Sequence, residues 1–312
     1  MSSLERGPNG MEYKGLLDRS FGNYSAFLKR VENGERGMPF AASLMPIMSH
    51  PRIEGISPRM RYELAGKKLH HYHRFTSQLE NKAIVPACTI LGLHEGPFEL
   101  SDVMAFEAMI IAAEETSHAV MSEHMRYQIA MMTGVTPSCD GEPRFLKILR
   151  ATLEGLDEHE KALAIIVFAC VSETLITSTL TKVPQDPTVM RPVADMIMHH
   201  ARDEAKHNKY FTVVIKLLRE RLTDTDLAKA APRFAEYIAA FVEPDCDPER
   251  VWLEGIGFGE TEAARIVAES YEAIDLKTSL REAAMPTITI MKRFGLLEVQ
   301  SAADALMRRE LI

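Results

Sequence analysis

Apolar positions recur at three- and four-residue spacing along most of the chain, the period of amphipathic helices. Residues 1–20 carry no firm period and read as a loose arm, and a first short helix is expected over 24–31. The segment 34–57, with Gly34, Gly37, Pro39, Pro46, Pro51 and Gly55, reads as an irregular connection. Ser57 before Pro58 is a helix start, with serine as the cap and proline in the first turn. The helix it opens runs to about residue 91, and Pro86 is expected to kink it or end it early. A second long helix opens at Ser101-Asp102 and ends near Gly134. A third starts within 143–156 and continues to about 181. Pro184, Pro187 and Pro192 mark the next connection, and a fourth long helix covers 193–222. Further helices are expected near 225–241 and 260–283. The best strand signal is Thr287-Ile288-Thr289-Ile290. The expected architecture is all-α, four long helices with flanking shorter ones. Residues 1–57 form an arm and connection packing on a helical core of 58–312, one domain overall.

Composition changes this picture little. The chain has 312 residues, 46% apolar and 26% charged, ordinary for a globular protein. A net charge of −8 argues against nucleic acid or an anionic membrane as partner. The first residues lack the apolar core of a signal peptide. The longest apolar run, 162–171, is shorter than the 18 or so residues a membrane span needs. Cys88, Cys139, Cys170 and Cys246 form no close pair and read as reduced thiols. A cytoplasmic protein is expected.

The chemistry lies in two segments of like form, Glu114-Glu115-Thr116-Ser117-His118 and Asp203-Glu204-Ala205-Lys206-His207. Each contains Glu-x-x-His, which puts a carboxylate and an imidazole one turn apart on one helix face. In di-iron carboxylate bundles, two helices each supply this motif and two others each supply a glutamate. Glu173 interrupts the most apolar stretch of the chain, where an unpaired carboxylate would be costly. Glu80 lies on the helix before the first motif. The order along four successive helices is therefore Glu80, Glu115 with His118, Glu173, Glu204 with His207. His200 falls on the stripe of Glu204 and His207 and adds a third nitrogen, expected on the same ion as His207. An oxygen-rich set of this kind suits iron, with manganese as a substitute.

These seven residues, in this order, resemble the di-iron amine N-oxygenases, among them the p-aminobenzoate N-oxygenase of aureothin biosynthesis and the arylamine N-oxygenase of the chloramphenicol pathway. The third histidine is the mark of that family, and the likeness covers about residues 58–240. It implies a ferritin-like bundle, a homodimer, two irons, O₂ as oxidant and an electron donor. It also implies a small, typically aromatic amine as substrate, oxidised to hydroxylamine, nitroso or nitro in antibiotic biosynthesis. Tyr72, and more weakly Arg281, match the residues with which family members hold the substrate's polar tail.

An acyl desaturase or hydroxylase is the alternative, and His200 counts against it. A ribonucleotide reductase subunit would carry a radical tyrosine four residues after the first motif's histidine, where this chain has Ser122. An iron-storage protein and a metal-free interaction protein complete the rivals.

Overall fold

The computed structural model describes residues 37–138, 141–175 and 177–312. The arm over 1–20 and the helix over 24–31 lie outside them. Within 37–57 the chain makes two short 3₁₀ turns, Ala42–Leu44 and Pro46–Ser49, and one helical turn, Pro51–Glu54. Phe40, Met45, Ile47 and Ile53 of this stretch are buried in the core. Gly37, at φ 135°, lies where a Cβ would meet Met190 N and Thr188 O at 2.9 Å, so only glycine passes there. Met38 then pairs by its backbone with Thr188 and Met190.

The first long helix is α1, Pro58–Leu79, capped by Ser57 Oγ on Met60 N–H. It does not stop at Pro86. It passes through one π-helical turn, Glu80–Ile84, and continues as α2, Val85–Gly92. Physical reasons for the wide turn lie at both ends. Asn81 Nδ2 donates to Ser77 O at the entrance, and the Val85 N–H donates to Glu80 O at the exit. Pro86 follows, with no N–H to give, so the change from π to α register falls where a backbone donor is already missing.

The second long helix, α3, is Asp102–Thr133, capped by Ser101 and ended by Gly134 in the left-handed region. The helix expected from 143–156 through to 181 is three pieces instead: α4, Arg144–Leu153, α5, Glu158–Leu175, and α6, Thr177–Gln185. Gly155, at φ 77°, turns the chain between the first two, and Asp157 caps the new start through Glu160 N–H. The fourth long helix is α7, Arg191–Arg221. The flanking helices are α8, Asp224–Val242, α9, Asp247–Gly255, α10, Glu260–Glu272, α11, Leu276–Arg293, and α12, Gln300–Arg308. The strand expected at 287–290 is helical, inside α11, because Thr287 and Ile288 face the core there. Burial outweighs the β preference of its residues. No strand occurs among the described residues, and the fold is an all-α bundle.

Two apolar clusters fill it. One joins α2, α4, α5, α8, α11 and α12 to the C-terminal half of α7. The other joins the 37–57 segment, α1, α6, α9 and α10 to the N-terminal half of α7 and the middle of α3. Where they meet, α1, α3, α5 and α7 turn polar residues inward. The span Glu158–Gln185 is apolar enough by composition to cross a membrane, yet 93% of its most apolar window is buried inside the bundle, as in a core helix.

Candidate metal centre

All seven sequence-derived ligands meet between the two clusters, each at most 2% exposed. α1 and its π turn bring Glu80, α3 brings Glu115 and His118, α5 brings Glu173, and α7 brings His200, Glu204 and His207. Their donor atoms form two overlapping groups. In one, Glu115, His118, His200 and Glu204 lie within 4.8 Å of one another, and in the other, Glu115, Glu173, Glu204 and His207 do. Glu115 and Glu204 belong to both. Glu80 Oε1 lies 3.8 Å from His200 Nε2, on the side of the first group.

This grouping differs from the one the α7 stripe suggests. His200 and His207 point to opposite ends of the cluster, so His118 shares a group with His200, and His207 stands with Glu173, 3.8 Å away. The backbone rise from i to i+7 along α7 is about 10 Å, and the two rings approach Glu204 Oε1 separately, His200 Nε2 at 2.8 Å and His207 Nδ1 at 3.7 Å.

The residues fit a pair of cations. Both carboxylate oxygens of Glu80 and of Glu173, and Glu204 Oε2, are buried without a hydrogen-bond partner. His207 Nδ1 and Glu115 Oε1 are 2.7 Å apart but off the angle of a hydrogen bond. Two lone pairs so placed would repel, and a proton or a metal ion relieves them. Burial, then the neighbouring carboxylates, push Glu80 and Glu173 well above the usual carboxylate range. Burial opposes the charge on His207, but Glu115 and Glu204 outweigh it and push the imidazole up to about 12. His118 is likewise driven up, burial being outweighed by Asp203, Glu115 and Glu204. Left to itself the cluster would hold protons where metal ions otherwise lie.

Two residues that the sequence reading left without a role complete the centre. Glu114 Oε2 lies 2.8 Å from His207 Nε2, and Asp203 Oδ2 lies 3.4 Å from His118 Nε2. Each motif's leading acid thus reaches the other motif's histidine. The contact aims the outer N–H at the acid and turns Nδ1 toward the cluster, 2.9 Å from Glu115 Oε2 in His118 and 2.7 Å from Glu115 Oε1 in His207. The signal was in the sequence, since both motifs begin with an acid before the glutamate. Asn208 Nδ2 donates to Glu173 O at 3.0 Å, and Thr174 Oγ1 meets Thr287 Oγ1 at 2.7 Å, which holds the end of α5 against α7 and α11.

Tyr72 lies beside this cluster. Its ring packs on Phe40, its hydroxyl is buried without a partner, and its ionisation is pushed up by burial and then by Glu204 and Glu80. Arg281 is not brought there. It is exposed on α11, with Nε donating to Glu310 O.

The family model for p-aminobenzoate N-oxygenase (AurF) matches residues 23–295. No curated protein matches the chain significantly.

Proposed function

We propose, from the premise that the chain belongs to the p-aminobenzoate N-oxygenase family, that it is a di-iron enzyme that uses O₂ to oxidise the nitrogen of a small, aromatic amine. Oxidoreductase chemistry of the N-oxygenase class follows from membership. The metal, the oxidant and the substrate are our reading. The observation that carries it is the double group of four glutamates and three histidines, with six carboxylate oxygens buried and unpartnered among them.

On this reading Glu115 and Glu204, which belong to both groups, would hold the pair of ions together with His118, His200 and Glu80 on one side and His207 and Glu173 on the other. A bound pair of ferrous ions would supply the electrons with which O₂ is activated. Four ionised glutamates balance two divalent cations, so the loaded centre is near neutral and its burial is tolerable. Glu114 and Asp203 hold the imidazoles with Nδ1 turned inward. The apolar clusters above and below exclude water. Tyr72 stands next to the centre as a hydrogen-bonding group for the substrate.

An electron donor is part of the proposal, as is the homodimer. An exposed apolar stripe on α3, Val103, Phe106 and Ile110 at i, i+3 and i+7, supports the dimer, which sedimentation measures. The test of the reaction is turnover under ¹⁸O₂ with a panel of arylamines and with acyl-carrier-bound fatty acids. Label on nitrogen is the expected result. Label on carbon, or desaturation without an N-oxidised product, would move the protein to the acyl-chain reading.

A further inference from the structure

The methionines are divided unevenly between the two apolar clusters. Among the described residues, six are buried in the cluster that holds the 37–57 segment, Met45, Met48, Met121, Met125, Met190 and Met196, against Met291 in the other. Two of the six lie at the edge of the metal centre. Glu114 meets His207 and Asp203 meets His118, so α3 and α7 run antiparallel. His118 and His200 face each other across this seam, their ring centroids 4.2 Å apart. One turn further along it, Met121 follows His118 at i+3 and Met196 precedes His200 at i−4, each at most 6% exposed. A methionine on a helix leans toward the N-terminus, over the turn before its own. Met121 therefore leans back over the turn of His118, and Met196 leans away from His200.

A thioether in that place is the kind of group that accepts oxygen. Its soft sulfur carries a lone pair with no proton to lose. The thiols of the core are less ready. Cys88 and Cys170 are fully buried in the other cluster, where burial and then the nearby carboxylates hold both protonated, and it is the thiolate that reacts. The exposed methionines, Met109, Met131, Met285 and Met307, supply an internal reference at 42–52% exposure. Oxidant released to solvent would meet them before it met a buried side chain.

We propose that Met121 is an internal oxygen acceptor, a modification site converted to the sulfoxide when the reduced centre meets O₂ with no amine bound. The inference rests on the reading of the centre as an iron pair that uses O₂. The balance closes without a further reagent. The thioether sulfur gives two electrons and the two ferrous ions give one each, so O₂ receives four. The O–O bond breaks, one oxygen atom forms the S–O bond, and the other leaves as water with two protons from solvent, while both irons become ferric. One sulfoxide therefore forms for each pair of irons oxidised. The damage is repairable, since methionine sulfoxide is reduced back by dedicated enzymes.

The test admits ¹⁸O₂ to the reduced, iron-loaded protein with catalase present, and locates the label by peptide mapping with fragment-ion sequencing. Without amine, ¹⁸O should appear at Met121, at no more than one atom per two irons, and at none of the four exposed methionines. Metal-free protein should take up none, and Met121→Leu, a change of nearly equal volume, should lose the label. With 4-aminobenzoate or aniline added, label at Met121 should fall in step with any N-oxidised product. A second measurement needs no O₂. In protein carrying [methyl-¹³C]methionine, replacing zinc by paramagnetic cobalt(II) should displace the Met121 methyl signal, assigned from Met121→Leu, more than those of the exposed methionines. Label first at an exposed methionine, label at another residue in place of Met121, no label while iron is oxidised, label undiminished while product forms, or an unshifted Met121 methyl would overturn the proposal. If amine is N-oxidised and Met121 is never labelled, the acceptor falls and the N-oxygenase reading stands. If Met121 is labelled and no amine is oxidised, the acceptor stands and the amine reading falls.

Discussion

Replacing Glu173 by leucine separates the cost of the centre from its use. Glu173 is fully buried at the end of the most apolar helix, and neither carboxylate oxygen has a hydrogen-bond partner. Each such atom costs about 1–3 kcal/mol. Leucine has similar bulk without those orphans, so the metal-free protein should gain about 2–4 kcal/mol. For a chain of this size that is a rise of roughly 3–6 °C in Tm. In the iron-loaded protein most of that gain should vanish. An ion present at a hundred times its Kd stabilises the native state by about 2.7 kcal/mol. The variant forfeits that for the site Glu173 shares with His207. Thermal unfolding of both proteins, with chelator and with anaerobically added ferrous iron, measures the two shifts. Alanine is the wrong replacement, because its cavity adds a loss of its own. A metal-free leucine variant less stable than the natural protein would refute the reasoning, for it would mean that the carboxylate is already well partnered inside the protein.

Elemental analysis after reconstitution should give about two irons per chain, following the two-site ligand set, and one or none would defeat the proposal. Mössbauer spectra of the loaded protein should divide the ligands in pairs. His118→Ala and His200→Ala should disturb one iron signal and His207→Ala the other, whereas coupled loss on replacing His200 and His207 would restore the grouping the α7 stripe suggests. Glu114→Ala and Asp203→Ala should each weaken iron binding by about 10- to 100-fold without deleting a ligand, and unchanged affinity would reduce both contacts to surface pairs. Iron uptake should release protons, because Glu80, Glu173, His118 and His207 all have raised proton affinity in the metal-free fold. The sign for stability is the same for all four. Each holds its proton more tightly folded than unfolded, so the contribution of these four to metal-free stability is full in acid and declines once pH passes the unfolded values, near 4.5 for the glutamates and 6.5 for the histidines, while Glu115 and Glu204, held low by the histidines, lose theirs as pH falls below 4.5. Iron-loaded protein should lack that decline, and iron affinity should climb with pH. A flat metal-free profile would contradict the burial of these charges.

The ligand set was legible because metal chemistry demands particular residue types at particular helical spacings. Glu115-x-x-His118 and Glu204-x-x-His207 declare themselves within a single turn, and Glu173 stands out against its apolar neighbours. What a one-dimensional pattern could not carry was which histidine faces which ion. That depends on how α3 and α7 cross, and a shared stripe on α7 put His200 and His207 together when their separation along the axis keeps them apart. The roles of Glu114 and Asp203 escaped for the same reason, since each acts on a histidine of the other helix. Helix ends were legible where capping chemistry is local, as at Ser57, Ser101 and Gly134. The break at Gly155 was passed over because one glycine in a helical pattern is tolerable. Thr287-Ile288-Thr289-Ile290 was read as strand because its β-branched residues favour one, and only the contact of Thr287 with Thr174 shows why they lie on a helix.

The wide turn at Glu80 makes part of this chain intolerant of any change in its count of residues. A π turn takes one residue more than the α turn it replaces, so α2 emerges rotated by about 100° from the course α1 alone would set. Glu80 before the turn and Cys88, Leu91 and Gly92 after it all depend on that offset. Gly92 fixes the far end, since a Cβ there would strike the Met109 side chain at 2.5–2.6 Å. Removing Asn81 or Lys82, both exposed, would give back a regular helix and satisfy local backbone preference. It would also turn the apolar side of α2 to water and swing the core partners of the site out of phase. Between Glu80 and Gly92, therefore, substitutions at the surface are cheap and single-residue deletions are not, while the loop from Leu93 to Leu100 can absorb a change in length.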